Sequence, residues 1–100
     1  MDFEWDPGKR DANLRKHGLA FEDAALVFDG FVVTMPDLRK DYGEQRYKSV
    51  GMLLDLVVVI AHTPRQGNMR VISMRAANAK EKYHYQERFE ALGFNVRRGH

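Results

Sequence analysis

Cysteine is absent from these 100 residues, which excludes disulfide bonds and thiolate chemistry. Long hydrophobic runs are absent too, since the longest, Leu53–Ala61, is interrupted by Asp55 and is too short to cross a bilayer. The first residues include Asp2 and Glu4 rather than a basic segment, so we expect no signal peptide. No repeat or Ser/Pro-rich linker divides the chain. These absences predict one cytoplasmic domain, residues 1–94, with a flexible tail at 95–100.

Charge is nearly balanced overall but unevenly spread. The net charge is +2, yet residues 1–50 carry 8 basic and 10 acidic groups, whereas residues 51–100 carry 8 basic and 4 acidic groups. The cationic second half predicts a face that attracts phosphate groups. A solvated surface explains a bias of this size equally well, so charge alone does not identify a function.

Capping and periodicity signals predict three helices. Asp6-Pro7 opens the first helix, which runs to about His17 and ends at Gly18. A second, short helix has one apolar stripe, formed by Phe21, Ala24, Ala25 and Phe28. Asn78 and Glu81 have the spacing of a capping box that opens the last helix. The predicted core stripe of that helix consists of Tyr85, Phe89 and Leu92.

Five segments have the composition and alternation of strands: Phe3–Trp5, Phe31–Met35, Gln45–Met52, Leu56–Thr63 and Met69–Ala76. The almost wholly apolar fourth segment is typical of a central strand. Together the elements predict an α+β domain, in which a small antiparallel sheet carries two N-terminal helices and one C-terminal helix. Strict alternation places Arg70 and Arg75 on opposite faces of the sheet unless a bulge intervenes.

Short motifs in a fixed order extend over almost the whole domain. They include Phe3-Glu4-Trp5-Asp6, Lys16-His17-Gly18, Phe21-Glu22, Gly43-Glu44, His62-Thr63 and Arg70-Val71-Ile72-Ser73-Met74-Arg75. In these motifs and their spacing the sequence resembles the BrnT family. The resemblance implies a RelE-like fold and a ribonuclease toxin that stops growth by cutting RNA. It also implies a BrnA-like antitoxin that binds the toxin and represses their shared operon, so that operator DNA is contacted only through the antitoxin.

Three positions depart from the family pattern. Asn78 replaces a usual Thr, a change that keeps the ability to cap a helix. Pro64 stands where an acidic residue is usual before Arg65, which puts the placement of Arg65 in doubt. Ala20 stands where a capping Ser is common, so the second helix lacks a side-chain cap.

Cutting RNA without a metal requires a proton acceptor, a proton donor and cations beside the phosphate. The predicted catalytic residues are His62, Arg75, Glu44 and Arg70. The predicted RNA-binding residues are Arg65, Arg46, His17 and Lys80. The four histidines have no paired ligand spacing, and no Gly-rich phosphate loop or Ser/Cys nucleophile motif occurs, so neither a metal nor a cofactor is expected.

Each of the main candidates also has a structural interpretation. His62 is suited to proton transfer, but a partly buried histidine bonded to backbone explains it equally well. Glu44 is either a base or the ion-pair partner of Arg46 or another arginine. Arg75 is either a phosphate clamp or the partner of Glu44 or Glu81. Accordingly, a non-catalytic RNA- or ribosome-binding translation inhibitor and a catalytically decayed antitoxin-binding domain remain alternatives to the ribonuclease.

Overall fold

The computed structural model describes residues 2–39 and 41–93, and contains every predicted helix and strand. The strands are β1 (Phe3–Trp5), β2 (Val32–Pro36), β3 (Tyr47–Leu53), β4 (Leu56–Arg65) and β5 (Asn68–Ala76). The helices are α1 (Pro7–His17), α2 (Ala24–Phe28) and α3 (Ala79–Ala91), and a 3₁₀ turn at Phe21–Asp23 leads into α2. No described helix has the length and apolar character that a membrane span needs. The predicted domain end at 94 and the tail at 95–100 lie outside the described residues.

The sheet is mixed rather than purely antiparallel, which corrects the prediction. Its order is β1-β5-β4-β3-β2, and β2 to β5 pair antiparallel because each is joined to the next by a hairpin or loop. β1 pairs parallel to β5, with Glu4 opposite Arg70. No hairpin joins β1 to β5, so its direction is not constrained to be antiparallel.

Helix capping follows the sequence signals closely, but the second helix is shorter than expected. Asp6 accepts a hydrogen bond from the Lys9 amide, and Gly18 ends α1 with a left-handed backbone. The second helix consists of a 3₁₀ turn and five α-helical residues, without a side-chain cap from Ala20. The N-terminal part therefore holds one full helix and a short one instead of two complete helices.

The two faces of the sheet bury two separate clusters. On the core face, Val58, Ile60, Val71 and Met74 pack against the 3₁₀ turn and α2. On the α3 face, Val50, Val57 and Val59 pack with Ala77 and with Tyr85 of α3. Phe89 is half-buried, but Leu92 is 58% exposed, so the predicted stripe of α3 is correct only in its first two members.

Asn13 joins α1 to the edge of β5. β1 is so short that it pairs only with Met69 to Val71. Past that point, the Asn13 side chain accepts from the Met74 amide at 3.1 Å and donates to the Met74 carbonyl at 2.9 Å. The amide side chain thus replaces the missing strand partner and satisfies backbone groups that would otherwise be buried without a bond.

A β-bulge in β5 changes which side chains share a face. Ala61 pairs with Ser73, but His62 pairs with Val71, so Ile72 is the extra residue. Val71 and Met74 consequently both lie on the core face, although they are three residues apart. By the same shift, Arg70 and Arg75 both lie on the α3 face, opposite Thr63 and Val59 respectively.

Candidate functional site

Cationic side chains gather on the part of the α3 face that the helix leaves uncovered. Lys48, Ala61 and Ser73 lie side by side across β3, β4 and β5, and the Arg75 position is two residues further along β5. Arg70 lies toward the other end of the same face. Lys48, Arg70 and Arg75 are all partly exposed. The structure therefore places on one face the two arginines that strict alternation would separate.

Arg75 forms a two-point ion pair with Glu81. Its Nη1 and Nη2 atoms lie 2.8 and 2.9 Å from the two carboxylate oxygens of Glu81. The hydrogen bonds from Arg75 lower the pKa of Glu81 to about 2, so this carboxylate stays charged at any working pH. Of the two ion-pair partners expected for Arg75, Glu44 and Glu81, the structure confirms Glu81. Among the described residues, the Arg75 Nε atom has no protein partner and is available to a ligand.

Glu81 also holds the start of α3. Its side chain accepts from the Asn78 amide at 2.9 Å, and the Asn78 side chain accepts from the Glu81 amide at 2.8 Å. This is the predicted capping box. Because one carboxylate serves both the helix start and Arg75, the orientation of Arg75 is tied to the position of α3.

Arg70 and Arg46 are also paired with carboxylates. Arg70 donates to Glu4 at 2.8 Å, and Asn68 donates to the same carboxylate at 3.2 Å. These bonds, led by that of Asn68, lower the pKa of Glu4. Arg46 donates to Glu44 at 2.9 Å, which is the ion pair that was the alternative to a catalytic Glu44.

The loop between β2 and β3 is anchored by a buried carboxylate. Asp37 accepts two hydrogen bonds from the Arg39 side chain, at 2.9 and 2.8 Å, and one from the Tyr42 hydroxyl at 3.2 Å. The Arg39 guanidinium holds the pKa of Asp37 well below its usual range. The Arg46 guanidinium lies 4.0 Å from the centre of the Tyr42 ring. The hydrogen bond to Glu81 raises the pKa of Arg75, and the like charge of Arg39 acts against this rise.

His62 lies on the core face, opposite to Arg75, and the structure does not bring the two together. Its Nε2 atom is 2.7 Å from the Ser49 hydroxyl, which is 2.6 Å from the Thr34 hydroxyl. The imidazole stacks on Tyr47 and meets the ring of Phe28 edge-on. The imidazole is bonded to a side chain, whereas the structural interpretation had expected a bond to backbone.

Burial sets the charge of His62. The side chain is 6% exposed, and desolvation lowers its pKa to about 4. The imidazole is therefore neutral near pH 7. It belongs to a chain of hydrogen bonds that continues through the hydroxyls of Ser49 and Thr34.

A groove of about 500 Å³ lies between α3 and the sheet. Its floor is apolar and includes Val33, Val50 and Val59, and its rim carries Lys48, Lys80, Glu81, His84, Glu87 and Arg88. Lys80, a predicted RNA contact, therefore lies on this rim, one residue before Glu81, the ion-pair partner of Arg75. His84 is a functional candidate that sequence reasoning missed, because a lone histidine on a helix carries no motif signal.

Three of the four predicted RNA contacts, Arg46, Arg65 and His17, do not line this groove. Arg65 ends β4, beside the two-residue hairpin turn Gln66-Gly67, and is exposed. His17 is the last residue of α1, also exposed, and bonds to none of the arginines described above. Across residues 2–39 and 41–93, no group of three or more His, Asp or Glu side chains has the arrangement of a metal site.

Residues 5–81 match the family described as ribonuclease toxin, BrnT, of type II toxin-antitoxin system. The chain belongs to the BrnT family. No curated protein matches it significantly. As a BrnT protein it is a ribonuclease toxin of a type II system, whose substrate is RNA and whose partner is an antitoxin.

The BrnT match covers the cationic face, which is the part of the α3 face that carries Lys48, Arg70 and Arg75. It extends from the end of β1 to the first turn of α3, and so includes Arg70, Arg75 and Glu81. His84 lies beyond it. Arg70 and Arg75 thus lie within the matched residues, whereas any role for His84 has to be argued from the structure alone.

Proposed function

We propose that this BrnT protein is a metal-independent endoribonuclease that binds RNA across the α3 face. The observation that carries the proposal is the bulge at Ile72, because it places Arg70 and Arg75 on one face with Lys48. A guanidinium with a free N–H is suited to a phosphate oxygen. Three cations on one sheet face provide a surface that attracts the charged backbone of RNA.

In the proposed reaction, the 2′-hydroxyl of the RNA attacks the adjacent phosphorus. The bond from phosphorus to the 5′-oxygen breaks, leaving a 2′,3′-cyclic phosphate and a 5′-hydroxyl. Negative charge builds up on the phosphate oxygens, and Arg75 and Lys48 stabilise it. Glu81 orients Arg75: it holds two of the guanidinium nitrogens and leaves Nε for the phosphate.

His62 and Glu44 have structural roles in this proposal. His62 is buried on the other face, where RNA bound beside Arg75 does not reach it. Glu44 neutralises Arg46 in the loop that packs beside β3. Arg70, Arg46 and Lys80 contact phosphates on either side of the cleaved bond, and Arg65 extends this surface at the hairpin.

The proposal extends to regulation and to the cell. Cleavage of RNA inhibits translation and stops growth, as in RelE-like toxins, whose sheet flanked by helices this fold resembles. A BrnA-like antitoxin covers the α3 face and excludes RNA from it, since acidic and apolar segments complement its cationic rim and apolar floor. The antitoxin, not this chain, contacts operator DNA.

Expression in a bacterial host without the antitoxin gene tests the proposal. The native chain is expected to arrest growth with RNA breakdown, and Arg75→Ala is expected to do neither. Arg15→Ala is the matched control, because it removes an exposed cation on α1 and should behave as the native chain does. Growth arrest with intact RNA would favour translation inhibition by occupancy, and no arrest would favour a decayed domain.

A further inference from the structure

In the described part of the chain, the carboxylates paired with Arg70 and Arg75 are poor candidates for the proton acceptor. Glu4 and Glu81 are each bonded to an arginine. For Glu4 and Glu81 the pairing lowers the pKa, which makes the carboxylate a weaker base. His62 is buried on the other face. Attack by a 2′-hydroxyl nevertheless requires a group that takes its proton.

His84 is the histidine that lines the groove on this face. It lies on α3 one turn after Glu81, the partner of Arg75, and is exposed. Its Nδ1 atom is 3.6 Å from a carboxylate oxygen of Glu87. A carboxylate beside one ring nitrogen helps to orient the imidazole and leaves the other nitrogen for a substrate.

We propose that His84 is the general base of the RNA cleavage reaction. The proposal rests on the proposed function, because it assigns a step of that reaction. Nε2 of His84 takes the proton of the 2′-hydroxyl while the 2′-oxygen bonds to phosphorus. The 5′-oxygen leaves with the electron pair of its bond to phosphorus and takes a proton from water. The resulting imidazolium is stabilised by Glu87 and later returns its proton to solvent.

The charged groups facing His84 come from two elements. Lys48 projects from β3, and α3 supplies Lys80, Glu81, Glu87 and Arg88. The cations attract the phosphate to the groove. Glu87 is the ion-pair partner of the imidazole. Removing Glu87 is thus expected to lower kcat more than it weakens the binding of RNA.

The test measures initial rates of cyclic-phosphate formation on a long single-stranded transcript, from pH 5 to 9. His84→Gln is expected to lower kcat by about a hundredfold or more, with KM within about twofold, and to remove the rise of the rate with pH. Glu87→Gln is expected to lower kcat less than His84→Gln does, because it removes the neighbour of the imidazole but leaves the proton acceptor in place. Lys82→Gln, an exposed change on the same helix, is expected to leave the profile unaltered.

The outcomes separate the two proposals. If His84→Gln cuts RNA as the native chain does while Arg75→Ala is inactive, the role of His84 is overturned and the proposed ribonuclease remains. If the native chain does not cut RNA at all, both fail. Far-ultraviolet circular dichroism and a thermal melt of each variant exclude loss of fold as the cause of a low rate.

Discussion

Lowering the pH from 7 to 5 is expected to destabilise the protein through His62. In the folded state the imidazole is buried and its pKa is about 4, whereas the ordinary value for the unfolded chain is 6.5. Between these two values the unfolded chain binds the proton and the folded chain does not, so stability falls as the pH falls. The contribution is complete above pH 6.5 and is lost progressively toward pH 4.

The linkage relation gives the size of this loss. With these two pKa values, His62 accounts for about 2 kcal/mol of the free energy of unfolding between pH 7 and pH 5. The carboxylates contribute little in that window, because the ordinary pKa values of Asp and Glu lie near 4 and ion pairing in the fold only lowers them. The effect of the histidine is therefore separable from general acid denaturation.

Urea denaturation at pH 7, 6 and 5 measures this loss, with His62→Gln as the comparison. The variant keeps a hydrogen-bonding side chain beside Ser49 but has no group that titrates in this range. Its free energy of unfolding is expected to change little between pH 7 and 5, whatever its absolute stability. Equal losses for the native chain and the variant would refute the argument that His62 is buried and neutral.

Two further predictions concern stability and one concerns the cationic face. Asn13→Ala is expected to cost about 2–4 kcal/mol, since both backbone groups of Met74 lose their partner in a buried site, and the shift of a urea transition at constant slope measures it. Gly51→Ala is expected to lower the melting temperature, with a cost of about 1–3 kcal/mol, because a Cβ at Gly51 would lie 2.7 Å from a methyl group of Val27. Arg70→Ala is expected to weaken RNA binding and to reduce the dependence of the binding constant on salt, whereas an unchanged salt slope would remove Arg70 from the interface.

The sequence predicts the elements of this fold well, because the signals for each are local. Asp6-Pro7, Gly18 and the pair Asn78 and Glu81 act within one or two turns of helix, and the structure confirms all of them. The parallel pairing of β1 could not be predicted, since it depends on contacts between residues more than 60 positions apart. A similar contact, that of Asn13 with β5, is invisible in the local pattern.

The site was harder to predict than the fold, and the bulge is the main reason. A single extra residue, Ile72, reverses the face on which Arg75 lies relative to Arg70, and no Gly or Pro marks it in the sequence. His62 illustrates a second difficulty. Its residue type favoured proton transfer, but only the pairing of the strands shows that it points away from the arginines.

The most direct test of the central claim is cleavage by the purified chain of an RNA with a single labelled scissile site, in excess EDTA. A matched oligonucleotide carries 2′-deoxyribose at that site. The account predicts cleavage of the RNA to a 2′,3′-cyclic phosphate and a 5′-hydroxyl, no cleavage of the deoxy substrate, and loss of activity in Arg75→Ala. Cleavage of the deoxy substrate, activity that requires added metal, or full activity of Arg75→Ala would contradict it.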